Sequence, residues 1–175
     1  MKEFEIRCLK SLATEEIRDL CDVLIDCVEG GASVSFLWPM TRAKAEQFWT
    51  GVAESAARGE RLVFVAQEPQ GRIVGTAQVV WATPENQPHR ADIAKMLVHR
   101  HARHAGIGAA LLEAAERGAF EHGRTLLVLD TVTDSEGYRL YARHGWQRCG
   151  EIPDYALWPD GRLCPTTVYF KRLLS

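Results

Sequence analysis

The stretch Met96–Leu112, MLVHRHARHAGIGAALL, decides how the rest of the chain reads. It starts as the end of an apolar strand, passes through a basic turn, and enters a helix whose first turn carries Gly106 and Gly108. A helix start leaves N–H groups without partners and carries partial positive charge, so it attracts anionic oxygens. Glycine removes the Cβ that would hold a phosphate off the backbone. Arg100 and Arg103 add formal charge at the same place. Together these features predict a cradle for a diphosphate. The spacing is not that of a dinucleotide-binding turn, because Leu111 stands where the third glycine belongs, and no Gly-Lys-Ser/Thr follows as in a P-loop. A glycine-eased turn with no ligand is the alternative that spacing alone leaves open.

Outward from the cradle, the chain alternates strand and helix patterns. Phe4, Ile6 and Cys8 alternate with polar neighbours as a strand does, and Ile17, Leu20, Cys21, Leu24 and Val28 share one helical face that ends at Gly30-Gly31. The segment 32–40 is apolar but irregular, and reads either as a pocket wall or as loop packing. A second helix is expected from Thr41 to Arg58, then a hairpin of Leu62–Ala66 and Arg72–Trp81, then a strand from Arg90 to Val98. The cradle helix carries Ile107, Ala110, Leu111, Ala114, Ala115, Gly118 and Ala119 on one stripe. Leu126–Leu129 predicts a buried strand ending at Asp130, Ser135–His144 a short helix, and Trp146–Cys149 and Thr167–Phe170 two closing strands. The expectation is a mixed α/β domain spanning residues 1–175, with helices packed on the sheet.

The bulk properties exclude several classes. Lys plus Arg number 21 against 23 Asp plus Glu, a net charge of −2, which is not the electrostatics of a dedicated nucleic-acid binder. The opening MKEFEIRCLKSLATEE is charged throughout, and no run approaches the roughly 20 apolar residues of a membrane span. No membrane partner and a cytoplasmic location are therefore expected. The five cysteines (Cys8, Cys21, Cys27, Cys149 and Cys164) lack metal-type spacing and read as free thiols in a reducing compartment. His99, His101 and His104 form an H-x-H-x-x-H run, but no Cys, Asp or Glu accompanies it. The expectation is no metal, with surface histidines beside the phosphates instead.

The segment Arg103-His104-Ala105-Gly106-Ile107-Gly108-Ala109 resembles the R/Q-x-x-G-x-G/A signature of the GNAT acetyltransferase superfamily, and Tyr141 with Gly145-Trp146 resembles its Y-x-x-x-G-F segment. Similarity to members that modify a β-lactam-type toxin runs over nearly the whole chain. It is most specific at Gly30–Val34, Leu129-Asp130-Thr131, Pro159–Leu163 and Tyr169-Phe170-Lys171. The resemblance implies a GNAT-like, mostly antiparallel sheet of about seven strands, splayed at the cofactor site and flanked by about four helices. It implies acetyl-CoA as co-substrate, with backbone groups of Leu97 and Val98 on the pantetheine. Amides of Arg103, His104, Ala105, Gly106, Ile107, Gly108 and Ala109 would hold the diphosphate. His104 and Ala105 depart from the Gly and Arg or Lys common in relatives, a lost charge worth on the order of 1 kcal/mol if exposed.

Acetyl transfer from a thioester needs a neutral nucleophile, stabilisation of the oxyanion and a proton for the departing sulfur. By the resemblance Tyr141 supplies that proton. A phenol of pKa about 10 against a thiol of about 8.5 puts full transfer uphill by roughly 2 kcal/mol in water. Asp130 and Asp92 fall where the toxin-modifying members carry carboxylates, and are implied to orient the acceptor or relay its proton. An amine acceptor of pKa about 10.4 loses about 4–5 kcal/mol in becoming neutral at pH 7, whereas a hydroxyl avoids that cost but is the weaker nucleophile. Ser33, Phe36, Trp38 and Tyr155 are candidate acceptor contacts. For Trp38, Trp81, Tyr155 and Trp158, core packing is the alternative. The expected acceptor is a small polar, amino-acid-like molecule, modified at a hydroxyl or an amine. A general amine N-acetyltransferase and a non-catalytic acyl-CoA sensor remain as alternatives, and a C-terminal strand left exposed would permit a homodimer.

Overall fold

The computed structural model describes residues 3–173. Met1, Lys2, Leu174 and Ser175, which the expected span of 1–175 includes, lie outside the described residues. A seven-stranded sheet of order β1-β2-β3-β4-β5-β7-β6 forms the centre. Its strands are β1 (Glu5–Leu9), β2 (Arg61–Gln67), β3 (Ile73–Trp81), β4 (Arg90–Val98), β5 (Leu126–Val132), β6 (Gln147–Leu157) and β7 (Leu163–Arg172). Only β4 and β5 run parallel; the other neighbours are antiparallel. The α-helices are α1 (Thr14–Glu29), α2 (Arg42–Ala57), α3 (Ile107–Glu121) and α4 (Glu136–Arg143). The mixed, mostly antiparallel architecture expected from the sequence is the one observed.

Helices cover both faces of the sheet, and β2 shows why its sequence is apolar without a break. Val63 and Val65 pack with Leu20, Leu24 and Trp49 of α1 and α2, whereas Phe64 and Ala66 pack with Leu111 and Ala115 of α3. A strand alternates its side chains between faces, so two covered faces need two interleaved apolar sets. The α3 layer lies so close that a Cβ on Gly118 would stand 2.5 Å from Phe64 Cζ. Helix α1 starts with half a capping box: Ala13 N donates to Glu16 Oε2 at 2.8 Å, while Ala13 has no side-chain oxygen to return the bond.

The last two strands exceed the expected Trp146–Cys149 and Thr167–Phe170. Strand β6 is exposed along almost its whole length and shifts register twice against β7, once between Arg148 and Gly150 and once across Pro153 and the positive-φ Asp154. Those interruptions erase the period-two signal. Strand β7 is not the exposed C-terminal strand of the sequence reading; it lies between β5 and β6, and β6 forms that edge.

One feature of the sheet positions the site. Strands β4 and β5 pair only where Arg90–Asp92 meets Leu126–Val128, and beyond Asp92 they part. The sheet is splayed from that point to its end.

Candidate active site

A cleft of about 1240 Å³ fills the splay. Ile93–Val98 of β4 and residues 102–109 line one side, Asp130–Val132 and α4 line the other, and Gly30–Leu37 and Tyr155–Trp158 frame the rest. Residues 32–37 of the irregular segment are therefore a pocket wall, and Trp38, Pro39 and Met40 are not part of it. The segment is clasped to the β6–β7 hairpin by Ser33 Oγ donating to Leu157 O at 2.7 Å and Trp38 N donating to Pro159 O at 3.0 Å.

The glycine turn sits at one end of this cleft. Gly106 is the N-cap of α3 at φ 83 and ψ 0, left-handed backbone that a side chain strains to adopt. A Cβ built on it would meet nothing within 4 Å, so the space before the helix N-terminus is open to an anion. Arg103, His104, Gly106, Ile107, Gly108 and Ala109 line the cleft, while Ala105 packs against the core. Arg100 is engaged by α1: its backbone N and its Nε donate to the Asp26 carboxylate at 2.8 and 2.9 Å, tying the turn to that helix. Arg103 Nε donates to Val98 O at 3.2 Å, and Cys27 Sγ donates to the same carbonyl at 3.5 Å. The Val98 carbonyl is thus already engaged, whereas the edge of β4 facing β5 has no strand partner past Asp92.

The histidines separate. His99 and His101 bring their Nδ1 atoms to 2.7 Å beside Asp26, away from the cleft lining, and His104 points to Glu136 at 4.0 Å. Burial pushes His99 below the ordinary imidazole value, with Asp26 pulling the other way. Among the described residues no group of three or more His, Cys, Asp and Glu is arranged to hold a metal ion.

Tyr141 and Asp130 both line the cleft. Tyr141 is 5 % exposed and packs near Trp146 and Tyr169. Burial, and then the charge of Asp130, push its phenol well above the usual tyrosine value, so it keeps its proton across the physiological range. Asp130 is exposed at the end of β5, where Oδ2 accepts from Thr166 Oγ1 at 3.1 Å. Asp92 does not join them. It sits at the closed end of the splay, ion-paired with Arg90 at 2.7 Å and outside the cleft lining. Of the candidate acceptor contacts, Ser33, Phe36 and Tyr155 line the cleft. Trp38 does not: its Nε1 donates to Val28 O at 2.9 Å. Trp158 lines it too, and Trp81 instead stacks on His122 at 5.5 Å.

Sequence reasoning missed Lys95, Arg139 and Arg143, all on the cleft lining. The two arginines are four residues apart on α4, a spacing that puts them on one helical face and that could have marked them. Lys95 carried no such signal, because it lies within an apolar strand pattern. Cys27 also lines the cleft, but burial pushes its thiol up and leaves it protonated rather than nucleophilic.

Comparison with known proteins agrees with this geometry. The sequence pattern of the acetyltransferase (GNAT) domain matches residues 59–148. An uncharacterized N-acetyltransferase from the hisH-hisA intergenic region of Azospirillum brasilense is 32% identical over 132 residues, covering 74% of this chain and 76% of that protein. Among solved structures, an N-acetyltransferase from Staphylococcus aureus Mu50 superposes with a TM-score of 0.81 at 20% identity, covering 98% of this chain and 99% of the other. The yncA protein of Salmonella typhimurium, solved with its cofactor acetyl-CoA, superposes with a TM-score of 0.79 at 17% identity, over 99% and 95% of the two chains. At those identities the structures establish the fold, and the sequence matches establish the family. A splayed sheet with a glycine turn at its mouth, and a sequence that matches the domain across that region, make this chain a member of the GNAT acetyltransferase family and an acetyl-transferring enzyme.

Proposed function

We propose that the protein transfers an acetyl group from acetyl-CoA directly to a small polar, amino-acid-like acceptor at an amine or a hydroxyl. The observation that carries this reading is the meeting, in one cleft, of an open helix N-terminus at Gly106, an unpartnered edge of β4, and Tyr141 with Asp130. Acetyl-CoA supplies an activated thioester carbonyl. The backbone amides from Arg103 to Ala109 hold the diphosphate, and the free edge of β4 around Leu97 accepts the pantetheine as an added strand. Tyr141 donates a hydrogen bond to the departing sulfur. Its raised pKa makes it a donor and not a base, and widens the roughly 2 kcal/mol gap of a free phenol, so the proton moves only as charge develops on sulfur. Asp130 orients the acceptor and draws its proton toward solvent at the cleft mouth. Asp92, held by Arg90 at the closed end, has no part in that step.

Within the family, the residues quoted above look most like the tabtoxin resistance acetyltransferase, which favours a hydroxylated β-lactam amino acid among the acceptors. A general amine acetyltransferase is the second reading, favoured by the N-acetyltransferase name of the Azospirillum relative. A non-catalytic sensor would have no use for a buried phenol lining the cleft beside a carboxylate. Release of CoA thiol with a panel of amino acids, polyamines and hydroxylated β-lactams tests the proposal. Acetyl-CoA binding without transfer to any of them would sink it.

No helix among the described residues is long and apolar enough to cross a membrane. The five free thiols fit a cytoplasmic location, and the single domain is proposed to pair with a second copy. The pair would form through the exposed Ile152, Tyr155 and Leu163 of the β6–β7 hairpin. Sedimentation at micromolar concentration should then show a dimer that I152S and L163S dissociate; a monomer throughout would refute the pairing.

A further inference from the structure

The acceptor half of the cleft holds a cation that the chemistry above does not use. Lys95 sits where β4 slips register against β3, at φ 49, and lines the cleft with Phe36, Ile93 and Asp130. Its Nζ donates to Ser35 Oγ at 2.9 Å and lies 5.9 and 5.6 Å from the ring centroids of Phe36 and Phe48. An ammonium has three donors, and among the described residues no carboxylate comes within 4.0 Å of this one. The fully buried Gln78, opposite Ala94 in the β3–β4 pairing, has a side-chain Nε2 with no partner. Arg61 only donates, so the atom it reaches on Gln78 at 2.8 Å is Oε1, and the orphan is an N–H donor. That orphan lies one strand position from Lys95 but outside the cleft lining, so of the two donors only Lys95 is open to an acceptor.

A half-buried cation without an anion is unfavourable unless something neutralises it. The two phenyl rings offset part of that cost. Burial pushes the Lys95 ammonium below its ordinary value, the Asp130 charge pulls it back, and Arg61, itself bonded to Ser55 and Gln78, pushes it down further. What the site lacks is an acceptor oxygen carrying charge.

We propose that Lys95 determines acceptor specificity by receiving a carboxylate of the acceptor while Asp130 faces its cationic end, so that the substrate is a free amino acid or an analogue bearing both charges. This rests on the acetyltransferase reading and narrows it. A toxin built on an amino acid and an ordinary amino acid both satisfy it; a polyamine or an uncharged alcohol does not.

The test pairs each L-amino acid with the amine made by removing its carboxyl, for example L-serine with ethanolamine and L-lysine with cadaverine, scored by CoA thiol release. Carboxylate-bearing acceptors should exceed their decarboxylated partners in kcat/KM by at least roughly tenfold. K95M, which keeps an unbranched chain between the two rings, should raise the acceptor KM about tenfold or more and leave the KM for acetyl-CoA unchanged. K95R should recover part of the loss, which a purely structural role would not show. Turnover of amines as good as that of their amino acids, or an acceptor KM unmoved in K95M, would overturn the inference while the acetyltransferase reading stood. In parallel, the 13Cε signal of Lys95, assigned by its loss in K95M, should shift saturably with L-serine and not with ethanolamine in the CoA-loaded protein. Equal shifts with both, or none, would likewise overturn it.

Discussion

Tyr141 is where residue-scale chemistry is most exposed to measurement. Its phenol is buried among Trp146 and Tyr169, so Y141F keeps the ring packing and removes only the hydroxyl. The expected loss is roughly 10²-fold in kcat with the KM for acetyl-CoA within threefold, measured by thiol release. An unchanged kcat would leave the tyrosine as packing alone. Gly106 makes a second point at this scale. Alanine there must take φ 83 at a cost of about 1–2 kcal/mol, and its methyl would enter the open space before α3. G106A should therefore raise the KM for acetyl-CoA severalfold with little change in kcat. Lys95 belongs to the same scale and went unread, because a lysine inside an apolar strand looks like an outward-facing residue. Only the register slip that turns it toward Phe36 and Phe48 gives it a role.

At the scale of elements, α1 is more than a lid on the sheet. Its Asp26 takes the backbone N and the Nε of Arg100 and so fixes where the glycine turn begins. Desolvation pushes the Asp26 carboxyl upward, but the hydrogen bonds from Arg100 outweigh it and hold the pKa below the ordinary value. A carboxylate depressed in the folded state stabilises above its unfolded pKa of about 3.9 and loses that contribution as pH falls through the folded value. Urea unfolding should show D26N less stable than the natural protein by about 1–3 kcal/mol at pH 6, with the gap shrinking below about pH 4. A gap independent of pH would point away from this ion pair. Helices α1 and α3 were legible in the sequence because each kept an apolar stripe, and β2 and β5 because each is a run of mostly Val, Leu and Phe. Strand β6 was not, since its side chains face solvent and its register breaks near Pro153. Asp92 sits near the start of β4 as the pattern places it, but only the pairing with β5 shows that this is the end where the strands still touch. The tie from Arg100 to Asp26 was not legible, because sequence shows a charge near the turn and not the carboxylate that faces it.

On the scale of the whole molecule, three residue pairs between β4 and β5 join the two parts of the sheet. Helix α3 backs one face of that seam, and the Ser33–Leu157 and Trp38–Pro159 hydrogen bonds bridge its mouth. A sheet so nearly cut in two should breathe along the cut when idle. Amides of residues 93–98 and 129–132 would then exchange faster in the empty protein than those of β2 and β3, and slow when the cofactor is added. At one hundred times its dissociation constant, acetyl-CoA would contribute about 2.7 kcal/mol, a rise in melting temperature of roughly 5–10 °C. The enzyme would be at its sturdiest while loaded and at its most fragile between turnovers, so its lifetime in a cell would follow the supply of the molecule it consumes.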